Sequence, residues 1–156
     1  QTLPGCEGVR LQSACADAAI RETYRIVGET TITCEDYLGA RVFPDAIGYT
    51  LYYIDVHSES DAQRPQQHGR RPQGGVPTLP LSALIPRGSR HLLVAGRSIS
   101  SDRLAYSALR VQASCMAMGQ GAGAAAALAV QSDLASRDVP MVRLRALLEK
   151  HGAILP

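Results

Sequence analysis

The chain has 156 residues, 46% of them apolar and 19% charged, enough for one domain with a real core. A net charge of +2 gives no electrostatic case for nucleic acid or an anionic membrane as the partner. Four widely spaced cysteines, Cys6, Cys15, Cys34 and Cys115, form no CxxC pair, which argues against a zinc site or a disulfide framework and for reduced thiols in a cytoplasmic protein.

In chain order, residues 1–17 show no period, and the start at Gln1 suits a processed product or part of a longer protein. Ala18 to Gly28 looks extended, with a β-branched and aromatic bias, and Thr31-Ile32-Thr33 is a second β-prone piece. Thr33 is a plausible cap for a short helix over Glu35 to Leu38. Gly39 to Val42 reads as extended, and Phe43-Pro44-Asp45 as a turn. Gly48 to His57 is the strongest strand candidate in the first half. Its alternation sets Tyr49, Leu51, Tyr53, Asp55 and His57 on one face and Thr50, Tyr52, Ile54 and Val56 on the other. Ser58 to Pro77 is polar and rich in Gln, Pro and Gly, a flexible surface loop. Leu79 to Pro86 resumes an apolar pattern, and Pro86 to Ser89 is a turn.

His91 to Ala95 reads as a buried strand ending at Gly96-Arg97, and a long small-residue helix follows a polar loop. From Ala113 to Ala129, twelve of seventeen residues are Ala, Gly or Ser. Such a helix cannot fill a core alone and suits close approach by a backbone or a flat ligand. It carries too many glycines and polar neighbours to read as a membrane span. Pro140 opens a last helix with Met141, Leu144, Leu147 and Leu148 on one face and Gly152 past its end. The fold class is α+β (mixed α/β): short strands, then a strand, the long Ala/Gly helix and a C-terminal helix.

Several residues could carry chemistry. Gly119 to Ala124 matches a relaxed dinucleotide fingerprint, but no strand precedes it, and packing across Gly119 and Gly123 is the simpler reading. Gly96 lets a ligand lie against the backbone, and Arg97 can reach an anion. Arg110 near a helix start is unusual, because that end is already partially positive; a nearby anion or ligand would resolve the conflict. His57, beside Asp55 on one face, is a candidate proton-transfer residue. Arg21 and Arg25, four apart, would share a strand face and could hold a substrate carboxylate. The tyrosines, Tyr53 among them, are possible proton donors or stacking groups. No metal site is indicated.

The stretches RETYRIVGE (Arg21 to Glu29), YYIDVH (Tyr52 to His57), LPLSALIPRGSRHLLVAGRSIS (Leu79 to Ser100) and ALRVQASCMAMGQGAGAAAALA (Ala108 to Ala129) resemble the C-terminal part of FAD-dependent oxidoreductases of the glutathione-reductase-like superfamily. The resemblance implies that Gly96 and Arg97 lie along FAD and that Arg110, Val111, Gln112 and Ala113 sit near the flavin pyrimidine edge. It implies substrate contacts from Arg21, Arg25 and Tyr53, with His57 close to the flavin. It divides the chain into residues 1–60 of a substrate domain, a flexible loop over 61–78, residues 79–135 of an FAD domain, and a C-terminal helix over 136–156. The family's glycine-rich strand-loop-helix is missing, and Gly121 stands where the family pattern leads one to expect alanine. The chain is therefore expected to act with a missing dinucleotide-binding part or a partner subunit, or as a homo-oligomer, on a small organic substrate. The alternative is a non-catalytic assembly module docking a partner on its Ala/Gly helix, and a third reading is a nicotinamide-binding domain on residues 119–124.

Overall fold

The computed structural model describes residues 4–5, 8–10, 12–13, 21–22, 24–57 and 65–156. The expected extended run from Ala18 and the loop after Ser58 lie partly outside them, and Cys6 and Cys15 wholly so. Helix α1, Cys34–Leu38, starts at the threonine that the sequence marks as its cap. The Asp36 amide donates to the Thr33 hydroxyl at 3.1 Å, and the Thr33 amide donates to the Asp36 carboxylate at 3.0 Å. Two otherwise orphaned amides are satisfied reciprocally. After the turn at Pro44-Asp45, strand β1, Ala46–Tyr49, pairs antiparallel with β2, Thr78–Pro80.

The remaining strand expectations are corrected. Beyond Tyr49 the backbone turns to loop partners: the Thr50 amide donates to Pro77 at 3.0 Å and the Ile54 amide to Arg70 at 2.8 Å. The alternation survives without the ladder, with Thr50, Ile54 and Val56 buried and Leu51 and His57 exposed. The buried Tyr37 hydroxyl pins this segment, donating to the Tyr52 carbonyl at 2.9 Å and accepting from the Tyr52 amide at 2.8 Å. The backbone of residues 24–28 is tied to the rest by the Ile26 amide on Ser98, the Arg87 amide on Val27 and an isolated bridge from Gly28 to Pro86. Gly39-Ala40 is a turn and 41–43 is irregular. His91 to Ala95 is not buried, and it is no strand, since a strand exists through a neighbour's backbone hydrogen bonds and among the described residues this segment has one such bond, from Val94 to Leu84 at 2.8 Å.

A helix absent from the sequence reading, α2 (Arg103–Leu109), precedes the long one. Asp102 caps it, accepting from the Ala105 amide at 2.7 Å, and its other oxygen accepts from the Cys34 amide at 2.6 Å. One carboxylate thus anchors the starts of two helices. Helix α3, Gln112–Ser132, packs Ser114, Met118, Gly121, Ala125, Leu128 and Ala129 inward, against β1 and against α4, Met141–Lys150. Leu144 and Leu148 of α4 are buried and Gly152 ends it in the left-handed region, as the sequence implies. Among the described residues the architecture is four α-helices and a two-stranded antiparallel sheet, an α+β fold.

Helix α3 has two unlike faces. A Cβ at Gly121 would press on Ile47, standing 3.2 Å from its Cβ, whereas Cβ atoms at Gly119 and Gly123 would meet nothing. The close-packing glycine is therefore Gly121, and the Ile47 contact explains glycine where alanine was expected. The outer face, with Gly119, Gly123, Ala126 and Ala127, is exposed, and its Met116 and Val130 are 74% and 84% accessible. By length and composition α3 could cross a membrane, contrary to the sequence reading, although its inner face packs on the core.

Gly121→Ala is expected to destabilise by about 1–3 kcal/mol through overpacking. Gly123→Ala is expected to stabilise by about 1 kcal/mol through helix propensity. Urea unfolding separates the two. A pH effect follows from Asp36. Burial pushes its carboxyl up, but hydrogen bonds from the Arg41 guanidinium and from the Thr33 amide and hydroxyl outweigh that and hold its pKa below the ordinary value. The stabilisation is fully present above the unfolded carboxyl pKa of about 3.9 and lost as pH falls through the lower folded one. Asp36→Asn should flatten that acid limb in unfolding measured across pH.

Candidate functional site

The site is built where α2 hands over to α3. Arg110 ends α2, Val111 is extended, and α3 begins at Gln112. Valine offers no side-chain acceptor, so the first-turn amides of α3 lack a cap, at the positive end of a 21-residue helix. Arg110 is tolerated there because Asp55 holds it. Its Nη2 donates to the Asp55 carbonyl at 2.9 Å and lies 3.9 Å from Asp55 Oδ2, with the side chain only 9% accessible. The conflict noted in the sequence is thus met inside the chain. Asp55 is fixed in turn: its amide donates to Ser107 Oγ at 3.0 Å, and that hydroxyl donates to the Leu104 carbonyl at 2.7 Å. His57 Nε2 reaches Asp55 Oδ2 at 3.4 Å, the pairing expected from their shared face.

A cleft of about 340 Å³ opens here. Arg21, Arg97, Arg110, Val111 and Gln112, all singled out in the sequence, line it together with Tyr52, Asp55 and Ser107. Gly96 does not line it but starts the 3₁₀ turn Gly96–Ser98 that carries Arg97, and its φ of +78° favours glycine. Ala113 is exposed in the first turn beside Gln112.

Other candidates lie outside the cleft. His57 is half exposed and reaches it only through Asp55. Tyr53 stacks on Tyr52, ring centroids 4.4 Å apart, and its hydroxyl accepts from that of Tyr52 at 3.4 Å. This contact and the Asp55 carboxylate push the Tyr53 phenol up. Arg25 pairs with Glu22 at 3.3 Å and lies over the Tyr106 ring at 4.9 Å. The shared strand face expected of Arg21 and Arg25 does not form, because the described residues there are irregular and a spacing of four then fixes no common face. Tyr106 is pushed up by burial and donates to the Arg21 carbonyl at 2.7 Å.

Tyr52, one of the tyrosines offered as a possible proton donor or stacking group, lines the cleft, whereas the sequence reading missed Ser107. Ser107 was findable: Asp102 followed three residues later by Ala105, with apolar positions at 104, 105, 108 and 109, is a capped helix. Residues 119–124 are helical throughout, so they form no phosphate loop and the nicotinamide reading falls. A larger groove, about 800 Å³, holds Cys34, Arg70 and Asp102. Burial and the nearby Asp102 raise the Cys34 thiol, which disfavours a reactive thiolate.

A family model described as FAD dependent oxidoreductase matches residues 1–148. The chain belongs to the FAD dependent oxidoreductase family. No curated protein and no solved structure matches it. The uncapped helix amides and the nearly buried guanidinium at this cleft are a donor set that can meet negative charge, as one edge of a flavin would present. Among the described residues no glycine-rich loop joins a strand to a helix, so a pyrophosphate has no such cradle here.

Ser107→Ala and Arg110→Met are each expected to cost about 1–3 kcal/mol of stability, because each removes a partner of Asp55. Since both act through that residue, the double variant should fall short of the sum by at least about 0.5 kcal/mol in a denaturation cycle.

Proposed function

We propose that this chain contributes part of the flavin site and part of the substrate side of an FAD-dependent oxidoreductase that removes hydride from a small organic substrate. The convergence of Arg97, Arg110, Val111 and Gln112 on one cleft at the amino end of α3 carries this reading. FAD, when bound, supplies the hydride-accepting chemistry. The chain's own residues supply binding and electrostatics. Arg110 and the amides of Gln112 and Ala113 present positive charge to the pyrimidine edge, where negative charge is stabilised. Asp55 and Ser107 keep Arg110 aimed. Arg97 and Gly96 flank the cofactor, Arg21 meets the substrate, and His57, oriented by Asp55, moves a proton.

The glutathione-reductase-like architecture belongs to the same proposal, with the dinucleotide-binding part supplied by the same protein or by a partner subunit. The exposed outer face of α3 supports such a neighbour, because Gly119 and Gly123 allow a backbone to come close. That face also favours the alternative of a non-catalytic assembly module, with another copy or a partner docked on it.

Protein expressed from its natural coding sequence is expected to carry flavin absorbance, and Arg110→Gln to weaken FAD binding about tenfold, as loss of one charge-assisted donor would. A colourless protein that takes up no FAD, yet self-associates through α3, would overturn the flavin reading in favour of the assembly module.

A further inference from the structure

We infer that Tyr106 is the positioning residue for Arg21: it fixes the wall of the cleft that meets the substrate, while its neighbour Ser107 fixes the wall that meets the flavin. This rests on the oxidoreductase reading and divides its two walls between adjacent residues of α2. Tyr106 is wholly buried, and its hydroxyl donates to the Arg21 carbonyl at 2.7 Å, across 85 positions of the chain. The Arg25 guanidinium lies over the same ring, 4.9 Å from its centroid. Between these two contacts, Glu22 Oε1 pairs with Arg25 at 3.3 Å and with Arg103 at 3.7 Å. Arg103 and Tyr106 stand one turn apart on α2 and grip the 21–25 segment together. Arg25, expected from the sequence to bind substrate, is a strut of this grip. The segment has no ladder to hold it: its described residues are irregular, and the first backbone hydrogen bond after Arg21 among them is the Ile26 amide on Ser98. The Glu22 pairs are open to water, Arg103 being 63% accessible, and add little. The bond from the buried phenol is therefore the main tie that sets where Arg21 enters the cleft. Arg110 is set separately, through Ser107 and Asp55.

The test uses the ¹⁵N-labelled chain with riboflavin as the probe. Ring current from a bound flavin shifts protons near it, so the Arg21 Nε–H shift reads where that guanidinium stands, and the Kd reads the flavin contacts separately. In the parent chain riboflavin is expected to shift the Arg21 Nε–H saturably. Tyr106→Phe keeps the ring under Arg25 and removes the hydroxyl alone. It should lower the order parameter of the Arg21 amide below about 0.6, the flexible range. It should also cut the riboflavin-induced Arg21 shift to less than about half, with the Kd unchanged within about twofold. Ser107→Ala should do the converse, weakening riboflavin about threefold while the Arg21 amide stays ordered. Glu22→Gln, a change at the surface, gives a second reading that does not hang on a core variant folding: a smaller loss of order at Arg21, since the phenol bond remains. An Arg21 amide as ordered in Tyr106→Phe as in the parent overturns the inference. So does a riboflavin affinity that falls in step with the Arg21 shift, because Tyr106 would then support the whole cleft rather than one wall. A parent chain that binds no riboflavin overturns the flavin reading instead, and the order parameters of the flavin-free variants still decide whether Tyr106 holds Arg21.

Discussion

Everything at the candidate site depends on Arg110 being held by Asp55. An arginine placed next to a helix amino terminus is repelled by the helix dipole, and burying nine-tenths of its side chain adds a desolvation cost. The Asp55 carbonyl takes one guanidinium nitrogen at 2.9 Å, and the carboxylate lies close enough to offset the charge. Asp55 can do this only because Ser107 on α2 fixes its amide. One loop residue therefore joins the 50–57 segment, α2 and the start of α3, and its carboxylate reaches on to His57.

The second constraint is the division of α3. Its inner face packs by shape, with Gly121 admitting Ile47 and Ser114 exchanging a 2.7 Å hydrogen bond with Thr50. Among the described residues its outer face contributes nothing to the core. In an FAD dependent oxidoreductase, a helix whose amino end lines a cleft and whose outer side carries Gly119 and Gly123 is suited to two contacts, a ligand at the tip and a backbone along the flank. That pairing links the cleft to the proposed neighbour. His91 to Ala95 stays irregular because its strand-like composition finds no described strand beside it.

What the sequence made legible was local. The Thr33 cap, the turn at Pro44, the α4 face and the long small-residue helix follow from short-range hydrogen bonding and a 3.6-residue period. Five expected site residues meet at the cleft because they cluster at two chain positions, 97 and 110–112, with Arg21 beside them. Strand formation was misjudged because β-branched composition records preference and says nothing of a neighbour. Arg25 and Tyr53 stand outside the cleft for a related reason: the backbone is irregular at 24–27 and again after Tyr49, so sharing a face in an ideal strand does not bring residues to a common point. The Asp55–Arg110 contact spans 55 positions, and no local pattern encodes it.

The decisive measurement is amide shift mapping of the labelled chain with riboflavin, a flavin that has neither pyrophosphate nor adenine. Saturable shifts confined to Gly96, Arg97, Gln112 and Ala113, and lost in Arg110→Gln, are expected if the amino end of α3 faces the flavin ring. Shifts centred on Gly119 to Val130, or none that saturate, would contradict it.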